Sequence, residues 1–172
     1  MSTRSTYLVI HGPNLDLLGL RQPEIYGRLT LKQIDASLRR RAAELGVGIE
    51  TVQSNYDVEI VERIKAARGR GISGIVINPA AYTHTSEEIP RAIAAAGLPA
   101  VEVHLSNVHA RETFRRLSLV APVVTGGIFG LGAFGYLLAL EAVVHVSRHG
   151  RSRRPARLTP GRRLRRMPAH HD

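Results

Sequence analysis

Five short runs rich in apolar and β-branched residues punctuate the chain: Tyr7–Ile10, Val47–Gln53, Gly74–Asn78, Ala100–His104 and Pro122–Thr125. They are nearly continuous rather than alternating, as strands are when both faces of a sheet are covered. Helical patterns separate them. Leu31–Leu45 places Leu31, Ile34, Leu38, Ala42 and Leu45 on one stripe, opened by Thr30 and closed by Gly46. Val58–Arg68, Glu87–Ala96, Ala110–Leu117 and Leu131–Val146 read as four further helices, with Pro90 in a first turn where its missing amide hydrogen costs little. Five βα units in succession predict an α/β fold, a three-layer sandwich with right-handed crossovers.

At 172 residues the chain suits one domain with an ordinary core. Its net charge of +10 suggests a nucleic-acid partner until the charge is located. From Ser147 onward there are nine arginines and one acid, so residues 147–172 carry +8 and residues 1–146 only +2. We therefore expect a catalytic domain over 1–146 and a basic tail over 147–172, disordered by composition, through which alone a nucleic acid would be bound. No apolar run approaches the roughly 20 residues that cross a bilayer, and the N-terminus lacks the apolar core of a signal peptide. There is no cysteine, which excludes disulfides and thiolate metal sites and fits the cytoplasm.

Parallel α/β sheets bind ligands beyond the carboxyl ends of their strands, where strand order reverses. The segments leaving the first four strands, His11–Arg28, Ser54–Asp57, Asn78–Ser86 and His104–His109, hold the potentially reactive polar residues His11, Asn14, Arg21, Tyr26, Asn78, His84, His104 and His109. The first is unusually long and irregular, a length that persists in compact domains mainly as lids and binding loops. It carries Arg21 and Tyr26. A free phenol has a pKa of about 10 and is almost wholly protonated at neutral pH, but a nearby guanidinium favours the phenolate. A closing loop thereby delivers a strong base only when substrate is present; the plain alternative is a surface arginine and a packing tyrosine.

His104 ends a buried strand at the expected ligand edge, as a functional imidazole or a satisfied core histidine. Glu102, two residues earlier, requires a partner inside a buried strand, either His104 or a cation. Asn14 and Asn78 either present amides to a ligand or serve turns. His84, His104 and His109 lack the spacing and the acids that complete a metal set. "GLGAFG", Gly130 to Gly135, matches a dinucleotide pattern but opens the last helix rather than the first, so close packing of a helix start explains it better.

Four blocks, in order and spacing, resemble type II 3-dehydroquinate dehydratase: "GPNL..LG.R.P..YG" at Gly12–Gly27, "NP.AYTHTS" at Asn78–Ser86, "VEVHLSNVHARE.FR..S" at Val101–Ser118 and "GLG..GY.LAL" at Gly130–Leu140. The resemblance implies a flavodoxin-like fold with a five-stranded parallel sheet of order 2-1-3-4-5. It implies a trans elimination of water from 3-dehydroquinate to 3-dehydroshikimate through an enolate, a step of the shikimate pathway to aromatic amino acids, without a cofactor or metal. By that resemblance Tyr26 is the base, Arg21 its activator, Asn14 the holder of a water on the enolate, and His104 the acid oriented by Glu102. Asn78, His84, Leu105, Ser106 and Arg115 match substrate-contacting positions, and Arg111 matches a supporting arginine. Assembly as a dodecamer of four trimers, with neighbours completing each site, is implied as well.

Six positions depart from the family pattern: His11 for Asn, Gln22 for Glu, Tyr56 for His, Val58 for Gly, Ala80 for Gly and Arg91 for Asp. The Asp usual at the position of Arg91 reaches a substrate hydroxyl in the neighbouring subunit's site, so charge reversal there bears on recognition. Two other readings follow: a diverged enzyme performing the same elimination on a related cyclic ketone, and a non-catalytic homologue whose tail binds nucleic acid.

Overall fold

The computed structural model describes residues 4–20, 23–110, 112–113 and 116–150. Its centre is a five-stranded sheet, every neighbouring pair parallel, in the order β2-β1-β3-β4-β5. The strands are β1 (Thr6–His11), β2 (Gly48–Gln53), β3 (Ile72–Asn78), β4 (Ala100–His104) and β5 (Gly126–Phe129). The helices are α1 (Pro23–Tyr26), α2 (Leu31–Glu44), α3 (Asp57–Ala67), α4 (Tyr82–Thr85), α5 (Glu88–Ala96) and α6 (Phe134–His149).

Successive residues of a strand face opposite sides, and β1 feeds two cores in that way. Tyr7 and Val9 pack with Ile34, Leu38 and Ala42 of α2 and Leu140 and Val143 of α6. Leu8 and Ile10 pack with Ile60 and Ile64 of α3 and Ile89 and Ile93 of α5. This is the three-layer flavodoxin-like sandwich, and it explains why the runs are apolar at consecutive positions. Gly74 lets α6 close on the sheet: a Cβ there would lie 2.7 Å from Val143 Cγ2 and 3.2 Å from Tyr7 Cδ1.

Helix boundaries follow local chemistry. Thr30 and Gln33 form a capping box at the start of α2, each side chain bonded to the other's backbone. Gly97, left-handed at φ 62°, ends α5 by donating to the Ile93 carbonyl.

Three expectations are corrected. Strand β5 is Gly126–Phe129, whereas Pro122–Thr125 was expected. Ala121–Val123 instead forms a 3-10 turn, with Val123 and Val124 packed on the α3/α5 core. The apolar run thus reflects the partly buried contact of two valines with a helix layer, while the edge strand has exposed glycines and no such run. No α-helix occurs among the described residues of 110–117; Val108–Ala110 is a 3-10 turn. Tertiary hydrogen bonds hold the segment that follows, since His84 Nδ1 lies 2.6 Å from the Leu117 carbonyl and Leu119 N donates to the Thr83 carbonyl. The final helix begins at Phe134 and runs to His149, three residues past its expected end.

Candidate active site

The sheet order reverses between β1 and β3, and a cavity of about 420 Å³ opens at the carboxyl ends of these strands and β4. Its walls include Asn14, Tyr26, Asn78, His84, His104 and Ser106. Leu105 and Ala80 also contribute. The backbone around it is tightly set. Gly12 N donates to the Asn78 carbonyl at 2.7 Å, and a Cβ on Gly12 would lie 2.6 Å from the Pro79 carbonyl oxygen.

Two cavity residues occupy the left-handed region without being glycine: Asn14 (φ 63°) and Ala80 (φ 50°). Asn14 tolerates it, and its backbone N–H donates to Asn55 Oδ1 at 2.9 Å. Ala80 is held by its own turn, donating its N–H to Asn78 Oδ1 at 3.1 Å. An N–H can only meet the oxygen of an amide, so this bond defines which way the Asn78 side chain points.

Below His104 lies an anchored carboxylate. Glu102 is fully buried and receives Thr83 Oγ1 at 2.6 Å, Ser118 Oγ at 3.0 Å and His104 Nε2 at 2.8 Å. Burial works to raise its pKa, but the hydrogen bonds from His104, Thr83 and Ser118 and the His104 charge together hold it below the ordinary carboxylate value. With Nε2 committed to Glu102, Nδ1 is the nitrogen His104 can offer to a ligand. The ring stacks on Phe129 with centroids 5.6 Å apart. His84 is fixed similarly: its Nδ1 meets the Leu117 carbonyl, which leaves Nε2 for the cavity.

Tyr26 lines the same cavity from another element. The short helix α1, inside the segment whose sequence looked irregular, brings it to the cavity wall and packs it against the α2/α6 core. Arg21, Arg111 and Arg115 lie outside the described residues. Arg91 is exposed on α5, paired with Glu88 at 2.5 Å and Glu87 at 2.8 Å, and does not line this cavity.

The glycine-rich turn supports the site through its backbone. Gly130 N donates to the His104 carbonyl and Gly132 N to the Leu105 carbonyl. Both glycines have positive φ, and a Cβ on Gly130 would lie 2.9 Å from that of Asn107. Among the described residues no group of three or more His, Asp or Glu is placed to share a metal ion.

The sequence reading missed Thr83 and Ser118, the hydroxyls that hold Glu102. It also missed a buried row behind Asn78. His11 sits between the Tyr136 hydroxyl (Nδ1, 2.9 Å) and Asp35 (Nε2, 2.9 Å), and Asp35 accepts from Thr51 at 3.1 Å. Only the family departure at His11 hinted at this row.

Comparison with known proteins agrees with the fold. The family model for dehydroquinase class II matches residues 5–144. A protein of Geotalea daltonii named 3-dehydroquinate dehydratase is 58% identical over 136 residues, 79% of this chain and 94% of the relative. One of Marinobacter nauticus with the same name is 53% identical over 140 residues, 81% of this chain and 96% of the relative. Among solved structures, the type II dehydroquinase of Butyrivibrio crossotus superposes with a TM-score of 0.81 at 38% identity, covering 83% of this chain and 99% of its own. That of Propionibacterium acnes gives 0.77 at 39%, covering 84% and 97%. With its sheet order, its four motif blocks and these likenesses in agreement, the chain belongs to the class II dehydroquinase family.

Proposed function

We propose that the protein is a 3-dehydroquinate dehydratase, a hydro-lyase that converts 3-dehydroquinate to 3-dehydroshikimate in the shikimate pathway. The observation that carries this reading is that Tyr26, on a short loop helix, and His104, on the sheet edge, line one cavity from different layers of the molecule. A trans elimination needs a base and an acid on opposite faces of the ring.

In this reading the Tyr26 phenolate, favoured by Arg21, takes the proton from the carbon beside the ketone. The C–H electron pair moves toward the carbonyl to form an enolate, whose oxygen is stabilised through a water held by Asn14. The enolate collapses, the bond to the β-hydroxyl breaks, and His104 gives that oxygen a proton so that it departs as water. Proton return from Tyr26 to His104 restores the starting state. Glu102 holds the imidazole for this exchange. Asn78, His84, Leu105, Ser106, Arg115 and Arg111 bind and orient the substrate, and Arg91 acts toward a neighbouring subunit's site.

Identities of 51–58% to proteins bearing the dehydratase name favour 3-dehydroquinate over a related cyclic ketone. Exposed Leu117, Leu131 and Phe134 suit an assembly, for which we propose a dodecamer of trimers in the cytoplasm. The basic segment 151–172 lies outside the described residues and has no part in the elimination. The deciding experiment mixes purified protein with 3-dehydroquinate and follows the conjugated enone by absorbance. Turnover is expected, and Tyr26→Phe should lower kcat by roughly 10²–10⁴-fold, the usual contribution of a general base. Absence of turnover by the wild type would overturn the reading.

A further inference from the structure

The mechanism above makes no use of Phe129, the last residue of the edge strand β5. Paired residues of neighbouring strands share a face of the sheet, and β5 pairs Gly127 with Glu102 and Phe129 with His104. The carboxylate and imidazole of the site therefore stand beside a glycine and a phenyl ring on the next strand. Phe129 fills the corner that Gly127 leaves open: a Cβ on Gly127 would overlap Phe129 Cζ and lie 2.7 Å from its Cε2. The φ of Gly127 is not positive, so the ring, not the backbone, is what requires glycine here. Leaning back in this way, Phe129 stacks on His104, with centroids 5.6 Å apart and planes 21° from parallel. His109 meets the same ring in a T-shaped contact at 5.2 Å. Phe129 does not line the cavity, so it acts on a ligand there only through a residue that does, and His104 is a cavity residue that it touches.

The inference rests on the dehydratase reading, in which His104 gives a proton to the departing hydroxyl. The bond between its Nε2 and Glu102 holds one atom of the ring and leaves the ring free to tilt about that atom. An N–H lies in the plane of its ring, and a hydrogen bond weakens steeply once its angle falls below about 120°, so a tilt swings the Nδ1 proton off its target. A second ring stacked on the first removes that freedom, because offset aromatic faces favour near-parallel planes. We propose that Phe129 is a positioning residue for the proton donor: leaning over Gly127, its ring sets the plane of the His104 imidazole and so aims Nδ1 into the cavity. Gly127 is the part of this device that a larger residue would undo.

Carbon-13 NMR of histidine-labelled protein, with His104→Asn to assign the signal, tests the contact without turnover. The His104 ring signals should shift in both Phe129→Leu and Gly127→Ala, since the first removes the phenyl face and the second displaces it. Unmoved signals overturn the proposal whether or not the enzyme turns over. With 3-dehydroquinate, each variant should lower kcat about tenfold, the upper worth of one aromatic pair, and leave KM within about threefold. The double variant should be no slower than Gly127→Ala alone, because both changes act on one ring. A fall in Tm with kcat unchanged overturns the proposal, since a ring that only packs would do that. So does a raised KM at unchanged kcat, because the ring would then shape substrate binding rather than the proton donor. Should Gly127→Ala not fold, Phe129→Leu carries both arms. If the wild type does not turn over 3-dehydroquinate, the dehydratase reading fails, and the NMR arm alone decides whether Phe129 sets the imidazole.

Discussion

Glu102 and His104 stand two residues apart on one face of β4, with the imidazole Nε2 2.8 Å from the carboxylate Oε1. The period of a strand makes this contact between i and i+2 natural, and the depth of the pair in the molecule makes it costly to disturb. Thr83 and Ser118 donate to the same carboxylate, so every neighbour of Glu102 is a donor.

Glu102→Gln places an NH₂ among those donors. We expect a loss of about 2 kcal/mol of stability and a fall in kcat of about a hundredfold, since the acid is then held in the wrong orientation or tautomer. Steady-state kinetics with urea unfolding check both; a kcat within threefold of wild type would show that His104 needs no orienting carboxylate.

Acid stability should reflect the same pair together with Asp35. Burial works to raise the Asp35 pKa, but its bonds and charge contact with His11, its Thr51 bond and the Arg39 charge hold it below the ordinary value of 3.8, as Glu102 is held below 4.5. Native carboxylates with lowered pKa values bind fewer protons than the unfolded chain, so stability rises with pH across this window. The contribution is complete above those ordinary values and is lost as pH falls through the lower native ones. Urea midpoints measured from pH 6 down to pH 3 should fall, and more shallowly in Glu102→Gln. Equal slopes in the two proteins would contradict the assignment.

Ala80, at φ 50°, carries a methyl group in a backbone region that costs an L-residue about 1–2 kcal/mol. Glycine removes that strain but adds unfolded-state entropy of roughly 0.4–1 kcal/mol. Ala80→Gly is therefore expected to stabilise the protein by about 0.5 kcal/mol, read as a higher urea midpoint at constant m. A lower midpoint would mean that the methyl packs well enough to outweigh its strain.

Gly12→Ala works in the opposite direction. The added methyl would press on the Pro79 carbonyl at 2.6 Å, where only backbone could yield. We expect a loss of about 3 kcal/mol, at the upper end for overpacking, with KM raised because the Asn78–Pro79 turn carries substrate contacts. Wild-type KM and midpoint in this variant would show that the two strand ends can separate freely.

Where a residue's fate depends on its near neighbours in the chain, the sequence was enough. Consecutive apolar positions at Tyr7–Ile10 announced a strand covered on both faces, and Thr30 and Gly46 marked the ends of a helix. The ligand edge followed from strand connectivity, which put Asn14, Asn78 and His104 near one another before any coordinates. Misreadings came where a run of apolar residues was ambiguous: in Pro122–Thr125 only Val123 and Val124 pack, partly buried, on the helices, while the true edge strand, Gly126–Phe129, is half exposed and weakly patterned.

Long-range pairing was decided only in three dimensions. His11 and Tyr136 are separated by 125 positions, and no spacing rule links them, yet burial leaves each with the other as a partner. Thr83, on α4, and Ser118, in the segment before β5, reach Glu102 from different parts of the chain. Local propensity and hydrophobic period are written into neighbouring residues, so the chain alone determined its layers and the edge at which chemistry occurs. Desolvation depends on what the rest of the fold removes from water, so the tertiary structure alone decided which polar groups must satisfy one another.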